Sequence, residues 1–155
     1  TEVSQWGIPA LEKAAAGLTC TTAVHICYGY GIKANIDWKA SLGAEWRQYE
    51  EIFPAIAKSS ISQVSVEARN SRVPLSLLSL LDGKTILVGA IDVASDDIET
   101  PEDIVAVAEA AMKVIPKERI QLCTNCGMAP MSRDIAYAKL TNLAKGAALA
   151  RKRFV

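Results

Sequence analysis

The sequence has no surplus charge of either sign. Its 155 residues carry 17 Lys+Arg against 17 Asp+Glu, which cancel to a net charge of zero with histidine neutral. That balance points to neither nucleic acid nor an anionic membrane surface as a partner. No apolar run approaches the roughly 20 residues of a membrane span. The opening Thr1-Glu2-Val3-Ser4-Gln5 lacks a basic n-region and an apolar h-region, so no secretory signal is visible. Thr1 in place of Met implies that the natural chain is longer. Internal repeats, linkers and low-complexity segments are missing as well, and residues 1–155 read as a single segment. The glycine-rich stretch Tyr28-Gly29-Tyr30-Gly31 lacks the GxGxxG spacing of a nucleotide loop and does not clearly open a helix. It is better suited to a flexible loop lining a substrate. Histidine is scarcest of all, with His25 the only one.

What is present reads as an ordinary globular domain, half apolar and 22% charged, long enough for a sizeable core. The four cysteines, Cys20, Cys27, Cys123 and Cys126, are too few for a secreted disulfide scaffold. They read as reduced thiols of a cytoplasmic protein. Strand-like runs fall at Thr21–Tyr28, Ile61–Glu67, Thr85–Val93 and Ile120–Cys123. Three of them are nearly continuous apolar runs, the pattern of parallel strands covered on both faces.

Helical segments separate the strands. One passes through Leu11–Ala16 into Gly17, and Pro74–Leu81 forms a short helix closed by Gly83. Asp37–Phe53 reads as one long polar and aromatic stretch that Pro54 breaks. Thr100 caps a helix with Pro101 at its first position and acids in its first turn. Ile104, Ala108, Ala111, Met112 and Ile115 line one side of it, and Pro116 stops it. Ser132 caps the last helix, lined by Ile135, Leu143 and Ala147, with a basic end at Arg151-Lys152-Arg153. The order α-βα-βα-βα-βα leaves two α/β architectures open: a small doubly wound sheet, or half of a (β/α)8 barrel. A complete barrel takes about 250 residues, so this chain closes none by itself.

Parallel strands bring their C-terminal ends to one face. His25 and Cys27, two apart on one strand, leave the backbone on the same side. Glu67 ends the second strand, and Cys126 follows the fourth. One nitrogen, two sulfur donors and one oxygen would meet there, a set that suits zinc. Cys123-Thr124-Asn125-Cys126 has CxxC spacing, but it follows a strand and runs into the loop Gly127-Met128-Ala129-Pro130. A redox motif prefers a helix N-terminus, and a zinc knuckle needs a second close pair, which Cys20 and Cys27 do not form. Asp92, near the end of the third strand, is the candidate catalytic acid, suited to orienting a ligand or a neighbouring group. Asp96 and Asp97 read as loop or capping acids. Tyr28, where the first strand runs into its glycine-rich loop, and Ser95, on the loop beyond the third strand, are candidate substrate contacts. Arg69-Asn70-Ser71-Arg72 is either a carboxylate-holding loop or a solvated turn.

The blocks Val24-His25-Ile26-Cys27, Val66-Glu67-Ala68-Arg69-Asn70-Ser71, Gly89-Ala90-Ile91-Asp92-Val93 and Asn125-Cys126-Gly127 resemble, in order and spacing, the catalytic domain of cobalamin-independent methionine synthases. Tyr28-Gly29-Tyr30-Gly31-Ile32-Lys33 and Cys126-Gly127-Met128-Ala129-Pro130 look more like the short core relatives, some of them folate-independent. The resemblance implies the C-terminal half of a (β/α)8 barrel, four βα units, with Zn2+ held by His25, Cys27, Glu67 and Cys126. Cys123 has no part in that set and is expected to be structural. The implied activity is methyl transfer to the thiol of L-homocysteine. Folate-using relatives carry a histidine two residues after the aspartate matching Asp92, where this chain has Ala94. That departure favours another methyl donor, a corrinoid or a methyl group delivered by a partner. The family's homocysteine-binding acids lie on strands outside this sequence, so pairing with the missing half-barrel or another copy is expected. Two other readings remain: alkyl transfer to a different thiol within the superfamily, and a zinc-stabilised half-barrel without catalysis. The zinc set argues against a uroporphyrinogen-decarboxylase-like barrel.

Overall fold

The computed structural model describes residues 3–30 and 32–155. Four strands form one sheet, β1 (Ala23–Ile26), β2 (Gln63–Glu67), β3 (Thr85–Ile91) and β4 (Ile120–Thr124). Each pairs parallel with the next, in spatial order β1-β2-β3-β4. The helices are α1 (Ile8–Ala15), α2 (Lys33–Ser41), α3 (Tyr49–Lys58), α4 (Pro101–Met112) and α5 (Arg133–Phe154). A 3-10 turn over Leu75–Leu80 takes the place of a helix between β2 and β3.

The sequential strand order settles the architecture. Right-handed crossovers between neighbouring parallel strands put every connection on the same side of the sheet. Accordingly Val64, Val66, Ile86 and Val88 pack with Phe53 and Ile56 of α3, Leu77 and Leu78 of the 3-10 turn, and Ala111 of α4. A doubly wound sheet would carry helices on both faces. This is four βα units of a (β/α)8 barrel, open along the outer edges of β1 and β4.

The alternate side chains point the other way. His25 and Gln121 are exposed, and Ser65, Leu87 and Cys123 are half-buried. The expectation of strands covered on both faces is therefore corrected for this half-barrel. Apolar residues crowd the helix side, while the face that lies inward in a barrel is more polar and less covered.

Three further expectations change. Asp37–Phe53 is not one element: α2 ends at Ser41 and α3 starts at Tyr49, with Gly43 between them at φ +80°. Only glycine takes that backbone angle without strain. Pro54 lies inside α3 instead of ending it. The strand read as Thr21–Tyr28 narrows to Ala23–Ile26, leaving Cys27 just beyond its end. The expected capping of the later helices is found. Thr100 Oγ1 accepts from Asp103 N while the Asp103 carboxylate accepts from Thr100 N, and Ser132 Oγ accepts from Ile135 N.

Candidate metal centre

His25, Cys27 and Cys126 come together at the C-terminal end of the sheet, their donor atoms all within 4.8 Å of one another. Same-side geometry on β1 brings the first two, and β4 delivers the third across the sheet. The Cys27 and Cys126 sulfurs are 3.6 Å apart. A disulfide holds its sulfurs about 2.05 Å apart, so both thiols are free. Two thiolates on a tetrahedral zinc, at Zn–S of about 2.3 Å, stand about 3.8 Å apart, so the observed spacing fits that ion. Burial, with the neighbouring Cys126 and Glu67 adding to it, pushes the Cys27 thiol up to about 11.

The imidazole is oriented by a neighbour on the next strand. His25 Nδ1 lies 3.0 Å from Ser65 Oγ, directly across the β1–β2 ladder. The same hydroxyl lies 3.6 Å from Cys123 Sγ. Cys123 thus packs behind the donor group, outside it, and burial raises its thiol pKa.

Glu67 ends β2 as expected and is 2% exposed. Among the described residues, however, the close group consists of His25, Cys27 and Cys126 without it. Its two oxygens are engaged by the loop after β1. Oε1 accepts from Tyr28 N at 2.8 Å, and Oε2 accepts from the Tyr30 hydroxyl at 2.8 Å. Burial, helped by the Glu67 charge, raises the pKa of both tyrosines, Tyr28 to about 12.

That loop is less free than its glycines suggest. Gly31 lies outside the described residues. Tyr28 is buried, its ring packed against Trp38, Trp46 and Tyr49 at centroid distances of 4.7–5.5 Å. Tyr28 and Cys27 line a cavity of about 260 Å³ with Trp38, Gln48 and Tyr49. A second cavity, of about 350 Å³, opens on the same end of the sheet, walled by Tyr30, Ile36, Lys39, Ala94 and Met131 among others.

Asp92 is 9% exposed and has both carboxylate oxygens occupied, Oδ1 by Ala94 N at 2.8 Å and Oδ2 by Asn70 Nδ2 at 2.9 Å. Asn70 takes φ 55°, which turns its amide to reach Asp92. Arg69 pairs with Asp103, and Arg72 donates to the Gly43 carbonyl. The 69–72 segment therefore serves the fold's own contacts. The Ser95 hydroxyl is also used locally, bonded to Asp97.

Two arrangements were not read from the sequence. Asn125 is fully buried and ties the ends of β2 and β4 together. Its Oδ1 accepts from Ala68 N at 3.0 Å, and its Nδ2 donates to Arg69 O at 2.7 Å. It reaches them across Gly89, where an added Cβ would stand 2.3 Å from Asn125 Oδ1. A register shift between Gly89 and Ile91 accompanies this crossing, with Asn125 N donating to Ile91 O. Asn125 thereby places both Glu67, just before Ala68, and Cys126, its own neighbour. The second arrangement is a fully buried Lys139 on α5. It donates to Glu99 Oε2 at 2.9 Å and to the carbonyls of Asp92 and Asp97. Glu99 Oε1 in turn accepts from Asp92 N. A signal for it existed: Lys139 falls on the line Ile135, Leu143, Ala147 that marks the helix's apolar side.

Comparison with known proteins bears on this geometry. The pattern described as "Cobalamin-independent synthase, Catalytic domain" matches residues 9–149. A solved B12-independent methionine synthase from Shewanella sp. W3-18-1, in complex with selenomethionine, is 54% identical with a TM-score of 0.92. The match covers 98% of this chain and 45% of that one. The methionine synthase of Sulfurisphaera tokodaii is 27% identical over 149 residues, 96% of this chain and 38% of the relative. That of Thermococcus kodakarensis is 26% identical over 147 residues, 94% of this chain and 38% of the relative. The chain thus spans about two fifths of the length of these curated relatives.

Proposed function

The chain belongs to the cobalamin-independent synthase catalytic-domain family, and on that premise we propose that it carries the metal-binding half of a methyltransferase that makes methionine from L-homocysteine. The observation that carries the reading is the convergence of His25, Cys27 and Cys126 within 4.8 Å at the C-terminal end of a parallel sheet. That end is where barrel enzymes place their chemistry. The methionine synthases it resembles, one of them solved with selenomethionine, support the substrate.

The metal is zinc in this reading, held by His25, Cys27 and Cys126 with Glu67 as the fourth ligand. When bound, zinc supplies a Lewis acid that lowers the pKa of a coordinated thiol, so that homocysteine is a thiolate at neutral pH. The chain's own residues prepare the place. Ser65 holds His25 Nδ1, so that Nε2 would be the ring nitrogen offered to the metal. Asn125 fixes Cys126 against the end of β2. Glu67, whose oxygens accept from Tyr28 N and the Tyr30 hydroxyl, would be the most weakly held of the four ligands. Asp92 acts as a positioning residue, holding the loop that presents Ala94 to the 350 Å³ cavity. Tyr28 bounds the space beside Cys27, and Ser95 contacts substrate from the β3 loop.

Ala94 supports a donor other than a methylated folate. A tertiary amine leaves poorly unless protonated, and an alanine side chain cannot supply the proton. The donor is then a corrinoid or a methyl group brought by a partner protein. The open edges of β1 and β4 fit pairing with four further βα units, which bring the amino-acid pocket. No helix among the described residues is long and apolar enough to cross a membrane. In this reading the enzyme works in the cytoplasm, where its cysteines stay reduced.

Metal analysis of purified protein tests this reading. We expect about one zinc per chain, lost in Cys126→Ser and retained in Cys123→Ser. Equal loss from both variants would favour a CxxC site instead. A cobalt-substituted protein whose absorption shifts on adding L-homocysteine would mark a catalytic site. Metal bound without any such shift would favour the structural half-barrel.

A further inference from the structure

Glu67 ends its strand at the same face yet stands outside the close group of His25, Cys27 and Cys126. Both of its oxygens carry a hydrogen bond at 2.8 Å, from the Tyr28 amide and the Tyr30 hydroxyl. The amide belongs to the backbone beside Cys27 and is fixed there. The hydroxyl arrives from a side chain whose position is set by its own neighbours. Gly29 turns the chain at φ +80°, and an added Cβ there would stand 2.4 Å from Asn35 Nδ2. Lys39 on α2 donates to Gly29 O at 2.7 Å, and its ammonium lies 4.6 Å from the Tyr30 ring centroid. Helix α2 thus clamps Tyr30 over Glu67, from the wall of the 350 Å³ cavity that Tyr30 and Lys39 share.

We propose that Tyr30 is a positioning residue that competes with the metal for Glu67 through its hydroxyl, keeping that carboxylate a weak and displaceable ligand. The inference rests on the metal reading above and deepens it. A carboxylate oxygen that accepts a short hydrogen bond offers less electron density to a cation, and moving Glu67 toward the metal stretches that bond. A thiol ligand entering the site then displaces a carboxylate that Tyr30 is ready to receive. Hydrogen-bonding partners of metal ligands ordinarily strengthen binding, and their removal weakens it. Here the sign is reversed, which makes the assignment easy to refute.

The test is a metal-competition titration of the full chain against a chromophoric chelator, with Co2+ as probe, in four forms: wild type, Tyr30→Phe, Glu67→Gln and the double variant. Tyr30→Phe keeps the ring in its place over Lys39 and removes only the donor. It is expected to bind Co2+ about tenfold more tightly than wild type, the scale of one hydrogen bond to a charged group. In the Glu67→Gln background the same change is expected to have no effect. Tyr30→Phe binding equal to or weaker than wild type overturns the proposal, and so does an effect that persists without Glu67. A wild-type chain that binds no Co2+ instead overturns the metal reading itself, so the two failures are told apart.

Discussion

Replacing Gly89 with alanine examines how the two ends of the candidate metal site are joined. The new Cβ would stand 2.3 Å from Asn125 Oδ1, 2.9 Å from Asn125 Cα and 3.1 Å from Val66 O. Two of these are backbone atoms, which cannot rotate away. Crowding of this kind costs about 1–3 kcal/mol. Displacing the Asn125 amide also loses its bonds to Ala68 N and Arg69 O, about 1 kcal/mol each. A loss of ~3–5 kcal/mol is a large share of the 5–15 kcal/mol that holds a typical domain together. Urea unfolding should show it as a fall in midpoint of about 1–2 M. Because Asn125 adjoins Cys126 and its partners follow Glu67, zinc affinity measured on the folded variant should fall as well. Gly146→Ala supplies the comparison. Its Cβ would meet Ile104 at 2.6 Å, in the packing of α5 on α4, with no contact to the donors. It should destabilise the fold and leave zinc affinity of the folded form unchanged. The reasoning fails if Gly89→Ala unfolds within about 0.5 kcal/mol of wild type, or if both glycine variants lose zinc equally.

The buried pair on α5 yields a second expectation. Lys139→Met leaves the Glu99 carboxylate enclosed without its cation and should cost about 3–5 kcal/mol in chemical denaturation. Lys139→Met with Glu99→Leu should cost less than the two single changes added together, with a coupling of about 2 kcal/mol; strict additivity would show that the pair does not act as a unit. At α4, Thr100 bonds and the Arg69 charge hold the Asp103 carboxyl below its ordinary value of 3.8. A depressed carboxylate stabilises the folded state above its unfolded pKa, and that contribution disappears as pH falls through the folded value. Asp103→Asn should therefore be less stable than wild type near neutrality, with the gap closing below about pH 4; a gap that is independent of pH would count against the capping box. Thr100→Ala removes the other half of the box and should cost about 1 kcal/mol by thermal denaturation.

Much of the chain was readable because it follows local rules. β-Branched runs marked all four strands, and Thr100 and Ser132 announced helix starts through side chains that cap within three residues. The meeting of His25, Cys27 and Cys126 was readable because parallel strands end on one face. The place of Glu67 was not readable, because it depends on how Gly29 turns the chain and carries Tyr30 back over β2. The Gly89–Asn125 crossing was hidden for a similar reason: it joins residues far apart in sequence, and CxxC spacing draws attention to the cysteines alone. Proline ordinarily ends a helix, but α3 starts at Tyr49 and runs through Pro54. Lys139 was passed over because lysine on a helix is ordinarily solvated, and only the burial of Glu99 beside it reverses that expectation.

Strand order in this sheet follows chain order, each strand bonded to its neighbours in sequence. Ladder partners are 40, 22 and 34 residues apart, as in Val24–Val64, Val64–Ile86 and Ile86–Ile120. Every pairing therefore closes a loop of moderate length, and the entropy of closure rises only slowly over that range. A ribosome releasing the chain from its N-terminus would deliver each strand after the edge it must join already exists. Cys126 comes last of the three close donors, so their group is completed only when β4 docks.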